Sequence, residues 1–178
     1  MKQVIHKIYW IWDFEEEEKW LNEMAAKGLH LTDVGLCRYV FEEGEPGAYR
    51  HRLEMLEHWP NHPESRKYIE FMEETGAEYV GSLKNWVYFR KRRVEGPFDL
   101  YSDMDSRIKH MTRIYKLLRL LAEVEGVVLF FYILAVLQDW SLLAALIPMA
   151  ILEIALVRGQ MKIGRKLEKL RNERAIRE

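Results

Sequence analysis

Lys19-Trp20-Leu21-Asn22-Glu23-Met24-Ala25-Ala26-Lys27-Gly28 returns later in the chain as Lys67-Tyr68-Ile69-Glu70-Phe71-Met72-Glu73-Glu74-Thr75-Gly76. Gly28 falls on Gly76, an offset of 48 residues (76 − 28 = 48), and at the same offset Met24 meets Met72 and Phe41 meets Phe89. Self-similarity at a fixed period marks one structural unit used twice. In both copies a helical pattern ends at the glycine. Glycine closes a helix in the left-handed conformation without a Cβ clash.

Working outward, Asp13 is the expected N-cap of the first helix, with Glu16 three positions on and glutamates 15–18 at the positive end of the dipole. Trp20, Leu21, Met24 and Ala25 recur at helical spacing and form one apolar face. The second helix is expected to begin at Pro63, and Tyr68, Ile69 and Met72 repeat the stripe. Strand-like runs precede the helices near residues 4–11 and 49–56. Two more follow each helix, near 29–34 with 36–41 and near 77–83 with 85–91. Glu43-Gly44-Glu45-Pro46-Gly47 is turn chemistry between the halves. The pattern predicts an α+β fold. Its core is a tandem βαββ repeat related to the ferredoxin-like arrangement, forming one mainly antiparallel sheet with two helices on one face. The repeat implies a shared core first; the alternative is a pocket at the seam between halves.

The formal net charge of −1 conceals a split. Residues 1–105 carry 14 Lys/Arg against 21 Asp/Glu, a net of −7, and residues 106–178 carry 13 against 7, a net of +6. An acidic head argues against nucleic acid as a partner, since positive charge is needed to displace counterions from phosphates. A basic, apolar tail suits a leaflet rich in anionic lipid. Cys37 is the single cysteine, so no internal disulfide forms and a reducing cytosol is the simplest setting. It is read as a buried, inert thiol in a strand. The N-terminus lacks the apolar core of a signal peptide.

Residues 126–138 and 140–152 are uncharged apolar runs separated by Asp139. Each is about 20 Å of helix, so spanning a core of roughly 30 Å requires outward extension that draws in Arg119, Glu123, Glu125 and Glu153. Glu125 and Glu153 each lie 14 residues from Asp139 (139 − 125 and 153 − 139), and so share one depth in an antiparallel hairpin. Arg119 and Arg158 are placed to pair with them or to snorkel outward. Arg107, Lys109, Arg113, Lys116 and Arg119 precede the first run; Arg158, Lys162, Arg165, Lys166, Lys169 and Arg171 follow the second. The turn between has no Lys or Arg, so the positive-inside rule puts both termini on the cytoplasmic side of an inner or plasma membrane.

The expected division is thus a cytosolic repeat domain over 1–105, a basic linker helix over 106–120, a transmembrane hairpin over 121–157 and a basic amphipathic helix over 158–178. In the last, Arg158, Lys162, Arg165, Lys166 and Lys169 face anionic lipid, and Ile163, Leu167 and Leu170 form an apolar strip, read as the face of an interfacial helix or as a coiled-coil partner strip. The competing reading is a soluble helical hairpin docked on another subunit. Glu125 and Glu153 as a transport pair is disfavoured, because two helices cannot enclose a path.

The search for chemistry returns no nucleophile elbow, zincin helix, P-loop or dinucleotide fingerprint. No catalytic residue, cofactor or metal is expected. His58 and His62 are four apart, but Trp59-Pro60 between them rules against a helix, and they are read as turn residues. Aromatics are the one excess. Trp10, Trp12, Tyr79, Trp86 and Tyr88 are candidates for an interaction surface on an open sheet face, for a protein partner or a second copy of the chain, with packing as the favoured alternative.

Phe14 with Glu17-Glu18-Lys19-Trp20-Leu21-Asn22-Glu23-Met24-Ala25-Ala26-Lys27-Gly28, then Tyr39-Val40-Phe41-Glu42, Gly44-Glu45-Pro46 and Tyr49-Arg50, resembles a bacterial family known only as domain of unknown function number 2812. Trp86-Val87-Tyr88-Phe89-Arg90-Lys91 and Leu100-Tyr101-Ser102-Asp103 fit the same pattern. The resemblance implies following membrane segments and a regulatory or sensing role beside PadR-type transcriptional regulators. It supplies no catalytic residues. Leu29 and Ala77 depart from it, standing where a tryptophan is expected after each helix-closing glycine. The function expected is a membrane-tethered, non-catalytic interaction or sensing module; the alternative is a small-molecule-binding or enzymatic domain with a pocket at the seam.

Overall fold

In the computed structural model, which describes residues 2–101 and 103–177, each half of the N-terminal region runs β-α-β-β. The first half comprises β1 (Lys2–His6), α1 (Phe14–Ala26), β2 (Leu29–Gly35) and β3 (Arg38–Glu43). The second comprises β4 (Tyr49–Met55), α2 (Pro63–Glu74), β5 (Glu78–Leu83) and β6 (Trp86–Arg92). Each half folds into a three-stranded antiparallel sheet with its last strand in the middle, ordered β1-β3-β2 and β4-β6-β5. The bulges obey the 48-residue offset. One separates Leu31 from Asp33 in β2, the other Tyr79 from Gly81 in β5. Gly28 and Gly76 close the two helices with φ of +84° and +88°. α2 starts at Pro63 as expected; Asp13 stands at the N-cap of α1 but makes no capping hydrogen bond through its side chain.

Two expectations change. The ladders form two sheets rather than one, because among the described residues no backbone pairing joins β2 to β5. Each of these edges carries its bulge, which bends the strand and ends pairing. The helices also do not share a face. Tyr88 of β6 belongs to a cluster with Leu21 and Met24 of α1, Leu31 of β2 and Phe41 of β3. Its neighbours Val87 and Phe89 belong to another, with Met72 of α2 and Phe98. Successive residues of a strand point to opposite faces. The second sheet is therefore covered on both sides.

Cys37 also departs from its expected place. It lies at the second position of the two-residue β2–β3 turn with φ of +55°, partly exposed. Lys84, with φ of +53°, holds the first position of the β5–β6 turn, where the left-handed conformation matches the twist of a hairpin.

The second unit begins at Met104. Helix α3 (Met104–Val136) and helix α4 (Leu143–Arg177) are joined through a 3₁₀ turn at Trp140–Leu142. Three contacts show them antiparallel. Asp105 pairs with Arg174 at 2.9 Å, Gln160 reaches the Tyr115 hydroxyl at 3.5 Å, and Glu153 approaches Gly126. Both helices are continuous, so residues 106–120 and 158–177 are ends of long helices rather than separate ones; residue 178 lies outside the described residues. Ile163 and Leu167 are buried, so the apolar strip packs as a coiled-coil partner strip does rather than lying open at an interface. The segment Trp140–Ile176 is long and apolar enough to cross a membrane. α3 is not, since Arg119, Glu123 and Glu125 stand in its middle and leave only the turns from Gly126 to Val136 free of charge.

Candidate functional site

The α+β halves are stitched together by side chains where a ladder is missing. β4 is an edge strand, and α1 lies along that edge. Asn22 Nδ2 donates to His51 O at 3.0 Å, and His51 N–H donates back to Asn22 Oδ1 at 3.0 Å. Leu53 N–H donates to Glu18 Oε2 at 3.2 Å. These bonds satisfy backbone groups that an edge strand otherwise leaves open. On the other side, Arg90 donates to Leu31 O of β2 at 3.2 Å while bonding Glu78 at 2.7 Å.

Inside the seam a carboxylate is buried. The hydroxyls of Tyr39 and Tyr88, one from each half, both donate to Glu17 Oε1 at 2.7 Å. Burial raises the Glu17 carboxyl above its ordinary value, and the two tyrosine hydrogen bonds oppose the rise. Burial and the neighbouring carboxylate raise both phenols. His51 is 1% exposed and neither ring nitrogen has a partner. Burial, with Arg90 and His30 nearby, lowers its pKa to about 3. The interior of the seam is thus a filled core with a satisfied carboxylate.

Its outer rim is open. A groove of about 610 Å³ runs between α1 and the start of the second half, lined by Glu18, Lys19 and Asn22 on one side and Arg50, Arg52 and Arg93 on the other. Arg52 is committed: it bonds Glu18 at 2.5 Å and Phe98 O at 3.0 Å. Burial raises the Glu18 carboxyl, while Arg52, the Leu53 N–H and Arg50 oppose the rise. Arg50 and Arg93 have no side-chain hydrogen bond or ion pair among the described residues. A domain that is acidic overall therefore presents a locally cationic concavity, suited to a carboxylate or phosphate. Sequence reasoning raised a seam pocket without these arginines. The signal was Arg50 and Arg52 on β4 with Arg90-Lys91-Arg92 at the end of β6 and Arg93 just beyond it; the β4–β6 ladder brings them together, and α1 along β4 walls the groove.

The expected aromatic face does not assemble. Tyr88 is 3% exposed and points into the seam. Trp86 packs against Phe14 with centroids 5.4 Å apart, and Tyr79 against Phe89 at 6.1 Å. Trp10 stacks on Trp12 at 5.1 Å and 3°, and Trp10 stays half exposed. Both faces of the second sheet are covered, so its aromatics pack. The outward face of the first sheet carries charge instead, including Lys2 paired with Glu42 at 3.4 Å and Arg38, which reaches Asp33 at 2.5 Å.

In the helical pair Glu153 is only partly exposed, and its Oε2 is buried without a partner. Glu125 stands beside Gly126, which faces Glu153, so the two acids lie at neighbouring levels. Arg119 pairs with Glu123 at 2.7 Å rather than with Glu125. Arg158, Arg165 and Lys169 are exposed, and Lys162 and Lys166 are partly buried.

No curated protein and no solved structure matches the chain. A family match does cover residues 13–122, from the start of α1 into α3. The chain belongs to the family described as Protein of unknown function (DUF2812).

Proposed function

We propose that this protein is a membrane-tethered, non-enzymatic recognition module. The observation that carries the tether is the surface of the helical pair. Ile147 and Ile151 of α4 are 64% and 62% exposed, and Phe131 of α3 is 64% exposed, within a long stretch that is uncharged apart from Asp139. Exposed apolar area on this scale is stable only against lipid or another protein. Basic residues at both outer ends favour a hairpin held from the cytoplasmic side, both termini inside, against anionic lipid. Glu125 and Glu153 then lie towards the basic end, where a charge costs less than at mid-bilayer. The acidic α+β domain is the recognising part; a PadR-type regulator is the partner class that the family resemblance suggests. Fractionation tests the tether. The full-length protein is expected in the membrane fraction after a high-salt wash, and a chain ending at Asp103 in the supernatant. Full-length protein that stays soluble without detergent would overturn the reading.

A second reading has its own support in the groove. Arg50 and Arg93, uncommitted in a concave site, favour binding of a small anionic ligand over a purely protein-facing surface. Inorganic pyrophosphate is the probe. It is expected to raise the Tm of the detergent-solubilised protein, and Arg50→Gln or Arg93→Gln is expected to abolish that rise. Equal response in wild type and both variants would remove the groove from consideration.

A further inference from the structure

The turn that leads into α2 holds a cluster used by neither the tether nor the groove. His58, His62 and Glu64 each present a donor atom, all within 4.8 Å of one another. His58 Nε2 lies 3.4 Å from Glu64 Oε2, and the two imidazoles face each other with centroids 4.1 Å apart. Zinc bonds to nitrogen and oxygen of about 2.0–2.2 Å place adjacent donors of a tetrahedron roughly 3.3–3.5 Å apart. The His58–Glu64 separation is long for a hydrogen bond and matches two donors on one ion.

The backbone beneath these side chains is already set. His62 N–H donates to Trp59 O at 2.9 Å, closing the turn, and Arg66 N–H donates to His62 O at 2.9 Å, opening the helix. Ser65 Oγ donates to His58 O at 3.2 Å, tying the first histidine to α2. Pro60 and Pro63 restrict the same segment through their fixed φ. A helix is the usual way to bring histidines four apart onto one side. Here the Trp59-Pro60 turn does so instead, with no helix between them, as the proline requires.

We propose that His58, His62 and Glu64 bind a borderline first-row divalent cation of the Zn²⁺ class, leaving one coordination position to water or to a donor from another molecule. Two imidazoles and one carboxylate select such an ion over Mg²⁺ or Ca²⁺, which take oxygen ligands. Two effects oppose binding. The positive end of the α2 dipole lowers cation affinity by up to about fivefold per unit charge, roughly thirtyfold for a divalent ion. His62 Nδ1 also accepts the Glu64 N–H at 3.3 Å, a long bond. Metal at Nδ1 displaces that bond, and metal at Nε2 moves the ring proton to Nδ1, so either mode gives up this one long bond.

The test uses untagged, detergent-solubilised full-length protein, titrated with Zn²⁺ by calorimetry and with Co²⁺ by visible absorption. One Zn²⁺ per chain is expected. His58→Gln and His62→Asn should each weaken binding by at least about tenfold, as even second-shell losses do at metal sites. Asparagine keeps an N-cap acceptor at position 62, so α2 is retained and circular dichroism should be unchanged. Co²⁺ should give the intense absorption of a tetrahedral nitrogen–oxygen site in the wild type alone. No saturation by about 1 mM Zn²⁺, a free energy near 4 kcal/mol, overturns the proposal. So does wild-type affinity in the folded His62→Asn variant.

Discussion

The Asn22 side chain and the His51 backbone exchange two hydrogen bonds, each of 3.0 Å, so one amide of α1 pairs with the edge of β4 as a neighbouring strand would. This contact joins the two halves. Asn22→Ala leaves a buried N–H and a carbonyl of His51 open, at a cost of about 2–4 kcal/mol. Asn22→Asp keeps the acceptor alone and should fall between the two. Urea unfolding followed by tryptophan fluorescence measures this, since five of the six tryptophans lie before residue 104. A loss below about 0.5 kcal/mol for Asn22→Ala would show that the edge does not need its amide.

Tyr88→Phe removes one of the two hydroxyls donating to the buried Glu17 carboxylate. Burial holds the Glu17 pKa above its unfolded value, so this group stabilises the fold most below the unfolded pKa and loses that contribution as pH rises through the folded one. The hydroxyl matters most once the carboxylate has ionised. Tyr88→Phe should therefore cost about 1.5–3 kcal/mol at pH 8 and less at pH 5. Equal loss at the two pH values would mean that Glu17 does not titrate in between.

His51 has the opposite sign. Its folded pKa, about 3 against an ordinary 6.5, keeps the ring neutral in the fold. Its contribution is complete above the unfolded pKa and is lost as pH falls from about 6.5 towards 3, with a slope of up to about 1.4 kcal/mol per pH unit. His51→Leu removes two unpartnered ring nitrogens and should stabilise the domain by about 1–3 kcal/mol at pH 7.5, with a shallower acid limb. A destabilised variant would point to a polar partner for the ring.

Equivalent positions in the repeat should respond unequally. A Cβ at Gly28 would lie 2.7 Å from the Gly44 carbonyl oxygen, whereas one at Gly76 meets the Glu95 carboxylate at 2.9 Å. A backbone atom cannot yield; a glutamate side chain rotates away. Gly76→Ala should cost about 1–2 kcal/mol of left-handed strain, and Gly28→Ala at least about 1 kcal/mol more. Equal melting temperatures for the two variants would refute the difference in packing.

Much of the fold can be read directly from the chain. The 48-residue offset and its glycines mark two βαββ runs, and Pro63 marks the start of α2, because these features act over a few residues. Local periodicity also outlines the apolar helix after Asp139. The aromatic surface proposed from Trp10, Trp12, Tyr79, Trp86 and Tyr88 could not be judged in the same way. Alternation shows that Tyr88 and Phe89 point to opposite faces, but not whether both faces are covered.

By itself, then, the sequence determined two successive βαββ runs, the acidic head and the apolar tail, all set by local propensity, charge and hydropathy. Only the tertiary structure decided that the halves form two sheets, and that α1 closes the β4 edge through Asn22 and Glu18. It also decided that Arg50 and Arg93 meet in one groove. These depend on contacts between residues far apart in the chain, whose energies exist only once the elements have docked.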